Sequence, residues 1–165
     1  MLSRKVQDCF GEPRNYSSTD AWQSIEEKTG QLPEAYKEFC ALYGPGLVGR
    51  FLKVLHPDSP EASQVGYISQ MAGMYHELYP EVIPHGVYPY SETGSALWAL
   101  SAESDALFLV PSGRGEWRIG VWFRQWSQWE EYCEEVPDWL ARQASGDLAV
   151  PGLPLGVHGG FIPLD

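Results

Sequence analysis

The sequence predicts an α+β fold in a single domain, with N-terminal helices and a C-terminal helix packed on a mostly antiparallel sheet of about five strands. Apolar residues recur at helical spacing between positions 22 and 43, and four short apolar runs between positions 87 and 123 are separated by turn-forming residues. The chain has 165 residues, of which 44% are hydrophobic and 13% aromatic. This is enough apolar surface to form one densely packed core.

Composition divides the chain into three parts. Residues 1–18 carry charges and turn formers without a period, and we expect them to form an N-terminal arm. Residues 19–146 contain the periodic segments and form the predicted domain. Residues 147–165 are rich in glycine and proline, so we expect an extended C-terminal tail. The apolar residues through which this tail could lie on the domain are Leu153, Leu155 and Phe161.

Two helices are predicted at the start of the domain. Thr19 is a good N-cap for the first, and Gly30 can end it in the left-handed conformation. The second helix begins at Leu32-Pro33, because a proline in the first turn of a helix loses no hydrogen bond. Gly44-Pro45-Gly46 ends it. The residues predicted to form the apolar faces and ends of these helices are Trp22, Ile25, Gly30, Leu32, Pro33, Tyr36, Phe39, Tyr43 and Gly44.

The sheet is predicted from five runs with strand character. The turns between the later runs are short, which favours an antiparallel meander. Apolar residues at helical spacing predict one further helix, over residues 61–79. The predicted strands are residues 50–55, 87–91, 95–100, 106–110 and 117–123.

The last predicted element is a helix over residues 127–144. Pro137 should kink or restart this helix, since a proline inside a helix costs about 3 kcal/mol. The helix would carry two pairs of acids at i, i+4 spacing on one convex face, where they repel one another and are poorly placed for catalysis. Its buried face would consist of Trp129, Cys133, Val136 and Leu140, and its acid pairs of Glu130, Glu131, Glu134 and Glu135.

The chain is strongly acidic, with a formal net charge of −11, and residues 54–113 contain seven acids but no Lys or Arg. Such a field should repel nucleic acid and anionic membranes and should speed the encounter with a basic protein. A surface that serves only solubility is the alternative. The acids expected to contact a partner are Glu130, Glu131, Glu134 and Asp138 on the last helix, and Glu92, Glu103 and Asp105 in turns.

No motif in the sequence indicates catalysis, a cofactor or a metal. The four histidines lack the spacing of metal ligands, and no G-x-S-x-G or phosphate-binding loop is present. Cys9, Cys40 and Cys133 are too widely spaced to indicate a disulfide or zinc site, so we expect free thiols, with Cys40 and Cys133 buried. We therefore expect no enzyme, no cofactor, no metal and no small-molecule substrate. An enzyme whose residues converge only in space, around His76 or His85, is the alternative.

No stretch approaches the roughly 18 apolar residues of a membrane span, and the N-terminus leads into polar sequence rather than a secretion signal. We therefore expect a cytoplasmic protein that does not bind membranes, as a monomer or weak dimer.

Two segments have a recognisable spacing of framework residues. The first reads Trp22-x-x-Ile25-Glu26, Gly30-x-Leu32-Pro33-x-x-Tyr36-Lys37-x-Phe39 and Tyr43-Gly44. The second reads Ser91-Glu92-Thr93-Gly94-Ser95-Ala96-Leu97-Trp98. Both segments resemble the SUKH superfamily, in the branch similar to fungal cell-wall regulators. The first resembles the N-terminal signature of that family. The second resembles its hairpin, in which a glycine turn precedes an apolar strand with a tryptophan. Gly94 and Trp98 would then be framework residues too.

The resemblance implies an α+β domain without a catalytic site. Bacterial members of the superfamily are largely immunity proteins that bind and neutralise a cognate toxin, often a nuclease or deaminase, whereas fungal members are interaction hubs. The resemblance carries over no binding residue, because the toxin-contacting surface varies between members. The function predicted from the sequence is therefore that of a bacterial immunity protein in a polymorphic toxin system. It would bind a basic toxin, a nuclease or other nucleic-acid-modifying protein, through its acidic surface. A regulatory protein–protein interaction module without a toxin partner is the alternative.

Overall fold

A computed structural model describes residues 1–16, 22–23, 26–27, 31–59, 71–77, 81, 83–88, 91, 94–148, 150–154 and 160–164. The helices are α1 (Arg4–Phe10), α2 (Glu34–Tyr43) and α3 (Val136–Ser145), and residues 22–23, 26–27 and 71–77 are also helical. The strands are β1 (Gly46–Val48), β2 (Leu52–Val54), β3 (Ala96–Ser101), β4 (Ala106–Pro111), β5 (Trp117–Phe123), β6 (Gln128–Tyr132) and β7 (Phe161–Pro163).

The predicted α+β class is confirmed, although the sheet is larger than predicted. Within the described residues it has seven strands rather than about five, in the order β6-β5-β4-β3-β2-β1-β7, and every neighbouring pair is antiparallel. The β4–β5 pair runs in continuous register from Ala106↔Trp122 to Pro111↔Trp117. Strands β6 and β7 form the two edges of the sheet.

One face of the sheet packs against α1, α2 and α3. Trp98 on β3 is fully buried at the centre of this layer, with its ring edge-on to Tyr36 at 6.0 Å and to Trp139 at 6.4 Å. Edge-to-face contacts of this kind add stability beyond the apolar area that the rings bury. The other face of the sheet packs against residues 71–77 and 83–88. There Tyr75 lies edge-on to Phe108 of β4 at 5.5 Å.

Most of the predicted framework residues take the predicted role. Trp22 is half-buried, with its ring edge-on to Tyr36 at 5.8 Å. Gly44 caps α2 with a φ of 75°, and a Cβ there would lie 2.7 Å from the Tyr16 ring. Pro33 is the N-cap of α2, so the helix begins at Glu34, just after the predicted start at Leu32-Pro33. The predicted framework residues that are buried are Leu32, Tyr36, Phe39, Tyr43 and Trp98. Ile25 and Gly30 lie outside the described residues.

Gly94, just before β3, packs closely against the backbone of Val87 and Tyr88. A Cβ at this position would lie 2.4 Å from the backbone nitrogen of Tyr88, a distance that no side chain tolerates. The predicted strand over residues 87–91 is nevertheless wrong for its described part, where Val87 forms only an isolated bridge with Ser95. Of the predicted helix over residues 61–79, residues 71–77 are helical and the rest lie outside the described residues.

The predicted helix over residues 127–144 is wrong in its first half. Residues Gln128–Tyr132 are strand β6, because they pair with β5 in the register Ile119↔Tyr132 to Phe123↔Gln128. Helix α3 begins only at Val136, and Pro137 occupies its first turn without a kink. Cys133 is exposed in the link between β6 and α3, not buried. The acid pairs predicted on this helix therefore do not exist.

The predicted arm and the predicted tail both contribute to the packed structure. Helix α1 lies within residues 1–18 and buries Val6 and Phe10 in the main core. In the tail, Leu153 is buried and β7 pairs with β1. The Phe161 ring lies 5.9 Å from the ring of Phe39, and Gly46 leaves room for it, since a Cβ there would lie 2.1 Å from Phe161 Cζ. Leu155 lies outside the described residues.

Candidate protein-binding groove

A groove of about 900 Å³ opens at the end of the sheet where β4 ends and β5 begins. Its walls come from residues 31–35 at the start of α2, from residues between 109 and 119, and from residues 133–136 before α3. Leu32, Leu109 and Ile119 are almost completely buried beneath it. The groove therefore has an apolar floor, formed where the first turns of two helices face the end of the sheet.

The turn between β4 and β5 shapes the outer wall of this groove. The Ser112 N–H and Oγ both donate to the Glu116 carbonyl oxygen, at 3.0 and 2.9 Å. Gly113 and Gly115 make the turn with φ angles of 76° and 77°, which glycine adopts without strain. Glu116 is exposed at the end of this turn and half-buried Trp117 follows it. The turn thus brings a carboxylate and an aromatic ring to the same groove.

Carboxylates dominate the charge of the groove, and two of them are paired internally. Glu34 lies 2.6 Å from Lys37 Nζ, and Glu134 lies 2.5 Å from Arg142 Nη1. The side chains of Glu116 and Glu135 have no ion pair or hydrogen bond to any described residue. Of the described residues that line the groove, one is a cation. This is Arg118, whose Nη1 lies 3.5 Å from Glu131 Oε2.

Glu130 and Glu131, predicted to share a helix face, are neighbours on edge strand β6, where successive side chains point to opposite faces of the sheet. Glu130 accepts hydrogen bonds from Tyr132 Oη at 2.6 Å and Gln128 Nε2 at 3.1 Å. Burial and the bond to Glu130 raise the pKa of Tyr132, because both disfavour the phenolate. Glu130 is thus half-buried and already hydrogen-bonded.

Glu131 is the centre of a small charged cluster on the other face of β6. Its Oε1 lies 2.5 Å from His85 Nε2 and accepts a hydrogen bond from Trp129 Nε1 at 3.2 Å. Burial alone would raise the pKa of Glu131, but the bonds from His85 and Trp129 and the nearby charge of Arg118 outweigh it, so the pKa is lowered. The Glu131 carboxylate is therefore engaged mainly by other side chains of the same protein.

The remaining predicted contact acids differ widely in how accessible they are. Asp138 is half-buried and accepts a hydrogen bond from Ser3 Oγ at 2.7 Å. Glu103 is exposed. Asp105 is only 3% exposed, and its carboxylate accepts bonds from Ser101 Oγ at 2.9 Å and from the Arg124 N–H at 3.0 Å. Its carboxylate thus links two turns, a structural role that the sequence does not predict. Glu92 lies outside the described residues.

The histidines and cysteines of the described residues do not form a reactive cluster in the groove. His56 is fully buried, with Nε2 3.1 Å from the Cys40 carbonyl oxygen and Nδ1 accepting from the Asp58 N–H. Burial lowers the pKa of His56 and raises that of the Cys40 thiol. Within the described part of the chain, no three His, Cys, Asp or Glu residues are grouped so that they could hold a metal ion. None of the helices described there is long and apolar enough to cross a membrane.

The groove was not predicted as a site from the sequence. Glu134 is the one predicted contact residue that lines it, and its two unpaired carboxylates, Glu116 and Glu135, were not predicted as contacts. The Ser112–Gly115 turn is a usable signal, since a glycine turn is followed directly by an acid and a tryptophan, of which the acid is exposed and the tryptophan half-buried. Comparison of the chain with protein-family models, with curated proteins and with solved structures gives no match.

Proposed function

We propose that this protein is a bacterial immunity protein that binds and neutralises a cognate basic toxin, and that the groove is its main contact surface. The observation that carries the proposal is the pairing of an apolar floor with two carboxylates, Glu116 and Glu135, that no described cation neutralises. A buried, internally paired acid adds little to the field outside the molecule. These two exposed acids are available to a partner.

The groove suits a protein partner on physical grounds. Long-range attraction between the acidic chain and a basic protein raises the association rate, by roughly 10–10³-fold at low salt. Apolar contacts with half-buried Trp117 and the floor beneath it would slow dissociation, because buried aromatic anchors carry most of the binding energy of an interface. Charge and apolar surface therefore have separate roles in the proposed complex.

The proposed toxin is a nuclease or another protein that modifies nucleic acid. Such proteins hold phosphates with Lys and Arg, and a surface built for phosphate also attracts carboxylates. In this proposal the immunity protein acts in the cytoplasm, as a monomer or weak dimer, by covering that surface without catalysis, cofactor or metal. A regulatory module without a toxin would bind a partner in the same way, and the genes beside this one distinguish the two, since an immunity gene lies next to its toxin gene.

The test is co-expression of this protein with the product of the adjacent reading frame, followed by stopped-flow measurement of their association. We expect the protein to restore growth to cells that express the toxin. The double variant Glu116→Lys/Glu135→Lys should lower the association rate constant about tenfold at low ionic strength and only two- to threefold at about 0.5 M salt, where charges are screened.

The matched control is Asp8→Lys/Glu12→Lys, which makes the same change in net charge at two exposed positions outside the groove. Residues 11–12 lie near the far end of α2, where the Tyr43 hydroxyl donates to the Gly11 carbonyl oxygen. An equal loss of rate in both variants would refute the groove as the contact surface. Growth that is not restored by the unaltered protein would refute the immunity function with that partner.

A further inference from the structure

A second, smaller cavity lies at the opposite end of β4 and β5 from the groove. It has a volume of about 250 Å³, and its walls include Phe51, Glu103, Trp126 and Pro154. Small-molecule pockets are generally larger, about 300–1,000 Å³. The cavity is therefore the right size for one side chain of another protein rather than for a metabolite.

Trp126 is the unusual residue of this cavity. It is 52% exposed, more than any other tryptophan in the described residues. One part of its ring packs on Phe123, with ring centres 5.4 Å apart, and another lies over the backbone of Gly152. Gly152 has a φ of 88°, and a Cβ there would lie 2.6 Å from Trp126 Cη2. The indole is thus held in place while about half of it faces solvent.

The segment under the indole is itself anchored. Val150 and Leu153, on either side of Gly152, are 5% and 3% exposed and belong to the main core. Trp126 therefore packs on a fixed support and would lose little side-chain freedom on binding. Rigid aromatic side chains of this kind are the residues that most often anchor protein interfaces.

Glu103 supplies a negative charge at the same cavity. Its Oε2 accepts a hydrogen bond from Gln125 Nε2 at 2.5 Å, which ties the carboxylate to the residue next to Trp126. Its Oε1 has no partner among the described residues, and the side chain is exposed. The described residues that line the cavity include no Lys or Arg. An aromatic face and a half-satisfied carboxylate thus border one small cavity.

We propose that this cavity receives an arginine side chain of a partner protein, with the guanidinium stacked on Trp126 and hydrogen-bonded to Glu103. A guanidinium is planar, so it can stack on an indole and donate to a carboxylate at the same time, which the compact ammonium of lysine does less well. That the arginine belongs to the toxin rests on the function proposed above. The chemistry of the cavity does not depend on it.

The test is an NMR titration that follows the indole N–H signal of Trp126, assigned by its absence in Trp126→Phe. The probes are two short synthetic peptides, acetyl-tetra-arginine amide and acetyl-tetra-lysine amide. We expect the arginine peptide to shift the Trp126 signal at millimolar concentration and to bind about threefold to fivefold more tightly than the lysine peptide. Glu103→Gln should weaken arginine-peptide binding by about the same factor.

Glu12→Gln, at an exposed position outside both the groove and this cavity, is the matched control and should leave the Trp126 titration unchanged. The proposal is wrong if the arginine peptide does not shift the signal, if the lysine peptide binds equally well, or if Glu103→Gln has no more effect than the control. Because no toxin is present, these outcomes are separate from the fate of the proposed function. If the protein neutralises the toxin but the titration fails, only the proposed arginine site in the cavity is refuted.

Discussion

The two ends of strands β4 and β5 use carboxylates in opposite ways. At one end Asp105 is buried and accepts bonds from two neighbouring turns. At the other end Glu116 is exposed and its side chain has no partner among the described residues. The edge strand β6 provides an intermediate case in Glu131. The net charge of −11 therefore does not show which acids a partner can reach. Some carboxylates of the described residues are buried and hydrogen-bonded within the protein, whereas others are exposed and free to bind.

The largest expected effect is at the buried end. Asp105→Ala should lower the free energy of unfolding by about 3 kcal/mol, because it removes a buried carboxylate acceptor from the Ser101 hydroxyl and from the part-buried N–H of Arg124. Urea unfolding followed by tryptophan fluorescence measures the change. Asp105→Asn, which keeps one acceptor oxygen, should cost less. A change below about 0.5 kcal/mol would mean that Asp105 does not hold these turns together.

A smaller, pH-dependent effect is expected at the intermediate position. Glu131 has a pKa below its ordinary value of 4.5, so its stabilising contribution is present above pH 4.5 and is lost as the pH falls through the lowered value. Glu131→Gln should therefore be less stable than the parent by up to about 1 kcal/mol at pH 7, and by less at a pH well below 4.5. A difference that is the same at both pH values would show that the ionised carboxylate is not what stabilises this edge.

The smallest effect is expected at the exposed end. The double variant Glu116→Gln/Glu135→Gln should unfold within about 0.5 kcal/mol of the parent, because neither side chain bonds to a described residue. Thermal unfolding and urea titration at low salt are suitable measurements. A loss above 1 kcal/mol would place these acids with Asp105 as structural residues, and a binding defect in the groove variants would then have another explanation.

The central strands could be predicted from the sequence because their signals are local. The predicted strand over residues 117–123 coincides with β5, β3 is shifted by one residue from its prediction, and β4 extends one residue beyond its prediction. Each is an apolar run bounded by turn formers, so its own residues determine both its type and its limits. The helix α2 was predictable for the same reason, with Pro33 before it and Gly44 after it.

The edges of the sheet could not be predicted because their signals are not local. Trp129, Cys133, Val136 and Leu140 have helical spacing, yet residues 128–132 form a strand since β5 offers them a partner. The register with β5 overrides a weak periodicity. Likewise, residues 161–163 form a strand because β1 pairs with them, and β1 lies far from them in the sequence.

The candidate site was hard to predict for a related reason. Asp105 follows Glu103-Ser104 in a segment that is typical of an exposed turn, and the Arg124 N–H that binds it lies 19 residues further along the chain. Burial of a polar side chain depends on such distant partners, which composition does not show. The groove too is made by three separate segments, and only its turn at residues 112–115 had a signal of its own.

The pairing of β1 with β7 has a consequence for the protein during synthesis. Val48 pairs with Phe161, so one margin of the sheet stays open until residues 161–163 have left the ribosome. Through that interval the nascent chain presents unpaired backbone N–H and C=O groups, to which strands of other chains can add. Rapid pairing of residues 161–163 with β1 then matters as much for avoiding aggregation in the cell as for the stability of the folded molecule.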